Sequence, residues 1–350
     1  MIRTFHSIGQ GAFYTEELDG LIMVYDCGGS RKEIIEHEIQ NTFEEDQTID
    51  KLFISHFHND HINGLKFLLS YCNVQTVYLP LLHEKSEIQF LIENIAFGEN
   101  DPFISDLITN PDNAIHELSR ETRVVHIKPR DSDPKGEEDS DSLISSGTEI
   151  SLNNSSDNCT WVFVPYNFQY DALNIQLCNR LEDNGIDISN IADELKIKQD
   201  EIIEVYKTVL GGTKNFNVNS LVLYSGPKED NECDMYIENL YDPWIHHGFF
   251  ALGCLYLGDY NVFRQTTMDD LKSVYSNYWN LLGTVQIPHH GSKYNFNYDL
   301  VEKNIFAIMS AGKRRRHPHG VTLKAIMTKK AIPLIVTEDM DTQIIQVVHV

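Results

Sequence analysis

Three imidazoles and a carboxylate crowd into six residues, His56-Phe57-His58-Asn59-Asp60-His61, directly after the apolar run Leu52-Phe53-Ile54. These are the nitrogen and oxygen donors that zinc or manganese prefers. His56 and His58 are alternate residues of a strand end, so both rings can face one side and one cation. The turn that follows brings Asp60 and His61 back toward a second. The chain must therefore fold so that a buried strand runs out into a short loop of ligands.

The surrounding pattern is mixed. Short β-branched or apolar runs bounded by Gly, Asp and Thr predict strands at 2–8, 21–26 and 51–56, with a helix at 31–43. Helical spacing returns at 65–72 and from Glu87 to about Ser119, with a strand at 74–82 between them. Residues 131–147 are acidic and turn-rich and are predicted to be an exposed loop. A strand at 160–168 precedes a helical insertion over 168–212, whose second helix Asp187 or Ser189 is placed to cap. Strands follow at 219–225, 251–259, 281–291, 305–312, 332–338 and 344–350. The whole, 1–350, is predicted to be a single domain.

Composition narrows the class. A hydrophobic content of 41% is enough for a buried core. The longest apolar stretch, Phe249 to Gly258, is about half the length of a membrane-spanning helix, so no membrane association is expected. No apolar run follows the first Arg, which argues against a signal peptide. Cys27, Cys72, Cys159, Cys178, Cys233 and Cys254 are scattered singly, as suits reduced thiols in a cytoplasm. With 28 Lys+Arg against 52 Asp+Glu, the net charge is −24. Such a surface repels polyanions, so unaided binding to duplex DNA is disfavoured. An anionic substrate has to be drawn in by a local site or delivered by a protein partner.

H-x-H-x-D-H after a strand resembles the signature of the metallo-β-lactamase superfamily. Further segments match in order: Ile8-Gly9-Gln10-Gly11, Tyr25-Asp26-Cys27-Gly28-Gly29, Asn219 to Leu223, Leu257-Gly258-Asp259, Pro288-His289-His290-Gly291-Ser292, and Gly312 through His317-Pro318-His319. Together they resemble the hydrolase domain of ComEC-type competence proteins and their stand-alone relatives. The resemblance implies an α/β fold, a four-layer αββα sandwich with metals at one edge. It implies two Zn2+ sites, with Mn2+ an alternative, held by His56, His58, Asp60, His61, Asp259 and His290. Asp259 resembles the carboxylate that bridges both metals, and His290 the last ligand of the second, with His289 competing for that place. Asp26 resembles the buried carboxylate that orients the histidine loop. Asn219 stands where lactamase-like members carry a third histidine. Among the other intervening histidines, His126, His246 and His247 read as structural or surface residues.

Lys313-Arg314-Arg315-Arg316 precedes His317 and is a dense basic cluster in an acidic chain. It reads either as a clamp for a phosphate or as a solvated loop. Gln10, Ser292 and Lys293 are weaker substrate contacts. Asp60, Asp259 and His317 are the catalytic candidates, for metal-assisted hydrolysis by a water activated between the cations. The leading expectation is a phosphodiesterase or nuclease acting on nucleic acid or a nucleotide. A small-molecule ester, lactone or amide hydrolase and a catalytically silent scaffold are the alternatives. Such lone hydrolases resemble effector components of bacterial defence systems, where a partner would bring the substrate.

Overall fold

Each strand of the interior alternates its side chains between two faces, and the two faces of each sheet bury different cores. In the computed structural model, Val24 and Leu52 face an outer cluster with Ile35, Leu65 and Leu68, whereas Tyr25 and Phe53 face inward. Val222 and Tyr224 likewise face a second outer cluster with Met268 and Leu271, while Leu221 and Leu223 turn inward. The structure describes residues 1–97, 100–130, 139–151, 160–169, 172–210, 219–229, 233–239, 246–313 and 316–349. Among them, one sheet of ten strands and one of seven pack face to face, with helices on both outer faces. This is the αββα sandwich that the sequence implies.

Parallel pairing fixes where the ligands emerge. Leu21–Tyr25, Thr48–Phe53 and Asn73–Pro80 run parallel in the first sheet, so Asp26 and Ser55 leave neighbouring strands at the same end. In the second sheet Gly253–Tyr256, Leu282–Gln286 and Phe306–Ser310 are also parallel, and Asp259, His290 and His317 follow them in turn. Ser220–Pro227 runs antiparallel to Gly253–Tyr256, which brings its beginning, next to Asn219, to that same edge. The edges meet where Leu221 N donates to Ser55 O at 2.7 Å and Tyr25 Oη donates to Leu221 O at 2.7 Å. Beneath them, the stacked rings of Tyr25 and Tyr256, 4.9 Å apart, join the sheets.

Several expectations shift in detail. Of the exposed loop expected at 131–147, residues 131–138 lie outside the described residues. Its far end is not loop: Leu143–Ile144 pairs parallel with Arg123–Ile127 as an edge strand, and Ile144 packs on the inter-sheet core. The helical insertion comprises Ala172–Asp183, a 3₁₀ turn Ile188–Asn190 and Ile191–Leu210, since Trp161–Phe168 stays in the sheet through Phe168. Asp187 caps the turn, accepting from Ser189 N at 3.0 Å. The insertion's Leu177, Leu181, Leu195, Ile202 and Tyr206 join the outer core of the first sheet, against the helix Glu84–Phe97. Tyr14–Leu18, Cys233–Asn239 and His246–Phe250 are strands with no clear alternation in sequence.

Candidate metal centre

Asp26 organises the loop of histidines. Its carboxylate accepts from Ser55 N and Ser55 Oγ, each at 2.6 Å, and pairs with His61 Nδ1 at 2.8 Å. It is fully buried. Burial pushes this carboxyl up, and the His61 and Ser55 hydrogen bonds pull it back. Holding His61 at Nδ1 aims Nε2 into the cleft, and that buried atom makes no hydrogen bond. Burial draws the His61 imidazole down, but Asp259 and Asp26 outweigh it and hold the ring well above its ordinary value.

Two glycines allow the approach. A Cβ on Gly28 would lie 2.4 Å from Asp60 O, so only glycine lets this turn back the Asp60-His61 segment. Gly258 has φ +54°, and its Cβ would meet Ser220 Oγ at 2.6 Å and Ser55 Cβ at 2.7 Å. That fit brings Asp259 against the histidine loop.

The donors converge in two overlapping groups. His56, His61 and Asp259 each offer an atom within 4.8 Å of the others, as do Asp60, His61 and His290. His56 Nε2 is 2.9 Å from His58 Nδ1 and 3.9 Å from Asp259 Oδ2. His61 Nε2 is 3.3 Å from Asp259 Oδ1, and His290 Nε2 is 3.2 Å from Asp60 Oδ2. Donors around a tetrahedral zinc with bonds of about 2.0–2.1 Å stand about 3.3 Å apart. The separations bracket that value, the donors are nitrogen and carboxylate oxygen, and the orphaned His61 Nε2 points among them. Donors of these types at these separations fit divalent metal ions.

His289 and His290 both take left-handed backbone conformations, with φ +47° and +56°. Such strain is held where surrounding contacts over-determine it. His290 Nδ1 donates to Ser310 O at 3.0 Å, which leaves Nε2 as the lone-pair nitrogen facing Asp60. His289 pairs Nδ1 with Asn295 Oδ1 at 3.0 Å, and Asn295 in turn donates to Asp259 O at 3.2 Å. Of the two, His290 joins the ligand groups, and His289 lies alongside Asp259.

His317 sits next to both, its ring 5.6 Å from that of His289 and 6.5 Å from that of His290. Its Nδ1 is buried without a hydrogen bond. Burial and the neighbouring imidazoles push it down to about 4. Its ring is 4.7 Å from that of His319, which is 6.1 Å from the exposed Tyr294. Lys293 Nζ lies 4.9 Å over the Tyr294 ring.

The basic cluster divides. Arg314 and Arg315 lie outside the described residues, and Arg316 is exposed. Lys313 is engaged elsewhere: its ammonium pairs with Asp339, and its backbone N donates to Glu338 at 3.0 Å. It is turned to acidic partners rather than toward the histidines. His126 pairs with Asp112 at 3.3 Å on an outer strand. The side chains of His246 and His247 lie outside the described residues.

Sequence reasoning missed Glu93. It is buried, and its Oε2 is 2.7 Å from His58 Nε2. The one signal for it was a lone acid within the apolar run Phe90 to Phe97. Asn219, by contrast, was singled out, and its Nδ2 contacts Ser86 Oγ at 3.4 Å.

Two solved structures are similar at low identity. Human tRNase Z, short form (ELAC1), is similar over 96% of this chain and 92% of its own at 12% identity, with a TM-score of 0.40. A diphosphatase from the PhnP family is similar over 95% of this chain and 75% of its own at 11% identity, with a TM-score of 0.36. No curated protein matches the chain in sequence. The family model of the metallo-beta-lactamase superfamily matches residues 16–145, the segment that carries Asp26, the histidine loop and Glu93. Beyond that segment, the two sheets with their outer helices form an αββα sandwich, consistent with the metallo-β-lactamase fold.

Proposed function

We propose that the protein is a metal-dependent phosphodiesterase, acting on nucleic acid or a nucleotide, of the ComEC-type branch of its superfamily. The observation that carries this is the convergence of two donor groups on one cleft, with the carboxylate of Asp259 3.3 Å from His61 and 3.9 Å from His56. Two cations a few ångströms apart suit in-line displacement at phosphorus, where both attacking and leaving oxygens carry charge. When bound, they supply Lewis acidity and a water of lowered pKa.

The chain's own residues do the rest. Asp259 offsets the charge of both positions, as only a carboxylate can. Asp26 and Ser310 fix the His61 and His290 rings so that each presents Nε2. His317, neutral at pH 7 and with Nδ1 free of a hydrogen bond, holds the departing or non-bridging oxygen through an N–H hydrogen bond. Lys293 and Arg316 at the rim meet the phosphate chain. Zinc is the first choice of metal and manganese the second, given four imidazoles beside two carboxylates.

One observation favours a second reading. A net charge of −24 suits a small neutral ester or lactone better than a polyanion. A partner protein that delivers nucleic acid reconciles the charge with the first reading. No helix among the described residues is long and apolar enough to cross a membrane. The test is a panel of bis-p-nitrophenyl phosphate, single- and double-stranded DNA, RNA and a lactone, run with zinc or manganese. Turnover of the phosphodiesters supports the proposal; turnover of the lactone alone overturns it.

A further inference from the structure

The helical insertion reaches the centre through buried polar groups. Glu93, on the helix Glu84–Phe97, uses one oxygen for His58 Nε2 at 2.7 Å. Its other oxygen accepts from Tyr206 Oη at 2.5 Å and from Gln89 Nε2 at 2.7 Å. Tyr206 is fully buried and belongs to Ile191–Leu210, the last helix of the insertion. A second link runs beside it: Asn174, on the insertion's first helix, donates to Ser86 Oγ at 2.9 Å, and Asn219 contacts the same oxygen at 3.4 Å. Both links pass through one helix; the first ends at His58 and the second at Asn219, at the start of the strand Ser220–Pro227.

Burying a carboxylate and a phenol is costly unless every group is paired, and apolar residues could have docked the insertion at lower cost. The pairing here has a direction. With His58 Nε2–H given to Glu93, Nδ1 is left as the lone-pair nitrogen facing His56 Nε2 at 2.9 Å. The carboxylate thus selects the tautomer and rotation of the ring that a cation needs. Among the described residues, no side chain other than Glu93 and His56 hydrogen-bonds the His58 ring.

We propose that Glu93, held by Tyr206 of the helical insertion, is the positioning residue of the cation site at His56 and His58, so that the insertion sets that site's occupancy apart from the site at Asp60, His61 and His290. This rests on the two-cation reading above. The site at His56 and His58 has one imidazole anchored by the insertion, whereas the imidazoles of the other are anchored by Asp26 and Ser310 within the sandwich. Losing the Tyr206–Glu93 hydrogen bond therefore weakens one position and leaves the other filled.

The experiment is titration of the metal-free full chain with Zn2+ against a competing chelator, with Co2+ absorption as a second readout. The wild type takes up two ions. Glu93→Gln and Tyr206→Phe weaken one of them by about 10- to 100-fold and leave the other unchanged. Co2+ at the weakened position loses its absorption while the other band persists. Ile202→Ala, a buried apolar position on the same insertion helix, lowers the melting temperature without moving either affinity. Wild-type affinity for both ions in Tyr206→Phe and Glu93→Gln overturns the proposal. So does an Ile202→Ala variant that loses the same ion, because the effect then belongs to general stability. A wild type that binds a single ion overturns the two-cation reading itself, and is told apart by needing no variant.

Discussion

His61 gives Nδ1 to Asp26 at 2.8 Å and leaves Nε2 without a hydrogen bond, 3.3 Å from Asp259. An imidazole so divided can present Nε2 to a cation beside Asp259 while Asp26 fixes the ring. Asp26 is therefore as much a part of the site as the ligands. Asp26→Ala strands Ser55 N, at about 1–3 kcal/mol, and leaves His61 Nδ1 with only Ser55 Oγ, at 3.3 Å. Zinc affinity should fall at least tenfold, read by chelator competition, together with a lower melting temperature. Unchanged zinc affinity would show that His61 does not depend on it.

Gly258 makes a sharper steric prediction. Its added Cβ collides with Ser220 and Ser55, whereas one on Gly185 meets nothing within 4 Å, although both have positive φ, +54° and +74°. Gly185→Ala should cost only the backbone term, about 1–2 kcal/mol. Gly258→Ala should cost clearly more in urea unfolding and also reduce zinc binding, since Asp259 is displaced. Equal costs in the two variants contradict the packing described.

The rim cations separate by partner. Lys313→Ala should leave KM for a polyanionic substrate nearly unchanged, because its ammonium is committed to Asp339. Lys293→Ala and Arg316→Ala should each raise KM and reduce the log–log salt slope by about 1 for each phosphate no longer neutralised. Initial rates at several salt concentrations decide it. An equal effect from Lys313→Ala restores the clamp of consecutive cations.

His317 imposes a pH dependence on the metal-free fold. Its pKa is about 4 in the folded chain, and about 6.5 is ordinary for an unfolded one. Between those values the unfolded chain binds the proton and the folded one does not, so stability falls as pH falls. Above pH about 6.5 the group contributes nothing to the slope. The wild type should lose melting temperature more steeply than His317→Asn between pH 6.5 and 4. Parallel curves mean the ring is not held neutral.

What could be read from the sequence was what short-range pattern encodes. The histidine loop, Asp259 after Leu257-Gly258 and His290 after Pro288 each follow a parallel strand, and apolar runs reveal such strands. Tyr14–Leu18, with Thr15, Glu16 and Glu17, hid because Glu16 is buried against Arg3 at 2.6 Å. An acid inside a core breaks the alternation that marks a strand. Glu93 and Tyr206 hid for another reason. Their pairing spans 113 positions, and helical spacing carries no trace of a hydrogen bond between separate helices. Lys313 looked like its neighbours until the loop placed Asp339 beside it.

The central claim is a pair of cation positions sharing Asp259. The most direct measurement is the metal content per chain of the purified protein and of its Asp259→Asn variant, by elemental analysis after dialysis. The account predicts two ions in the wild type and at most one in the variant, with both proteins folded by circular dichroism. Equal metal content in the two would contradict it.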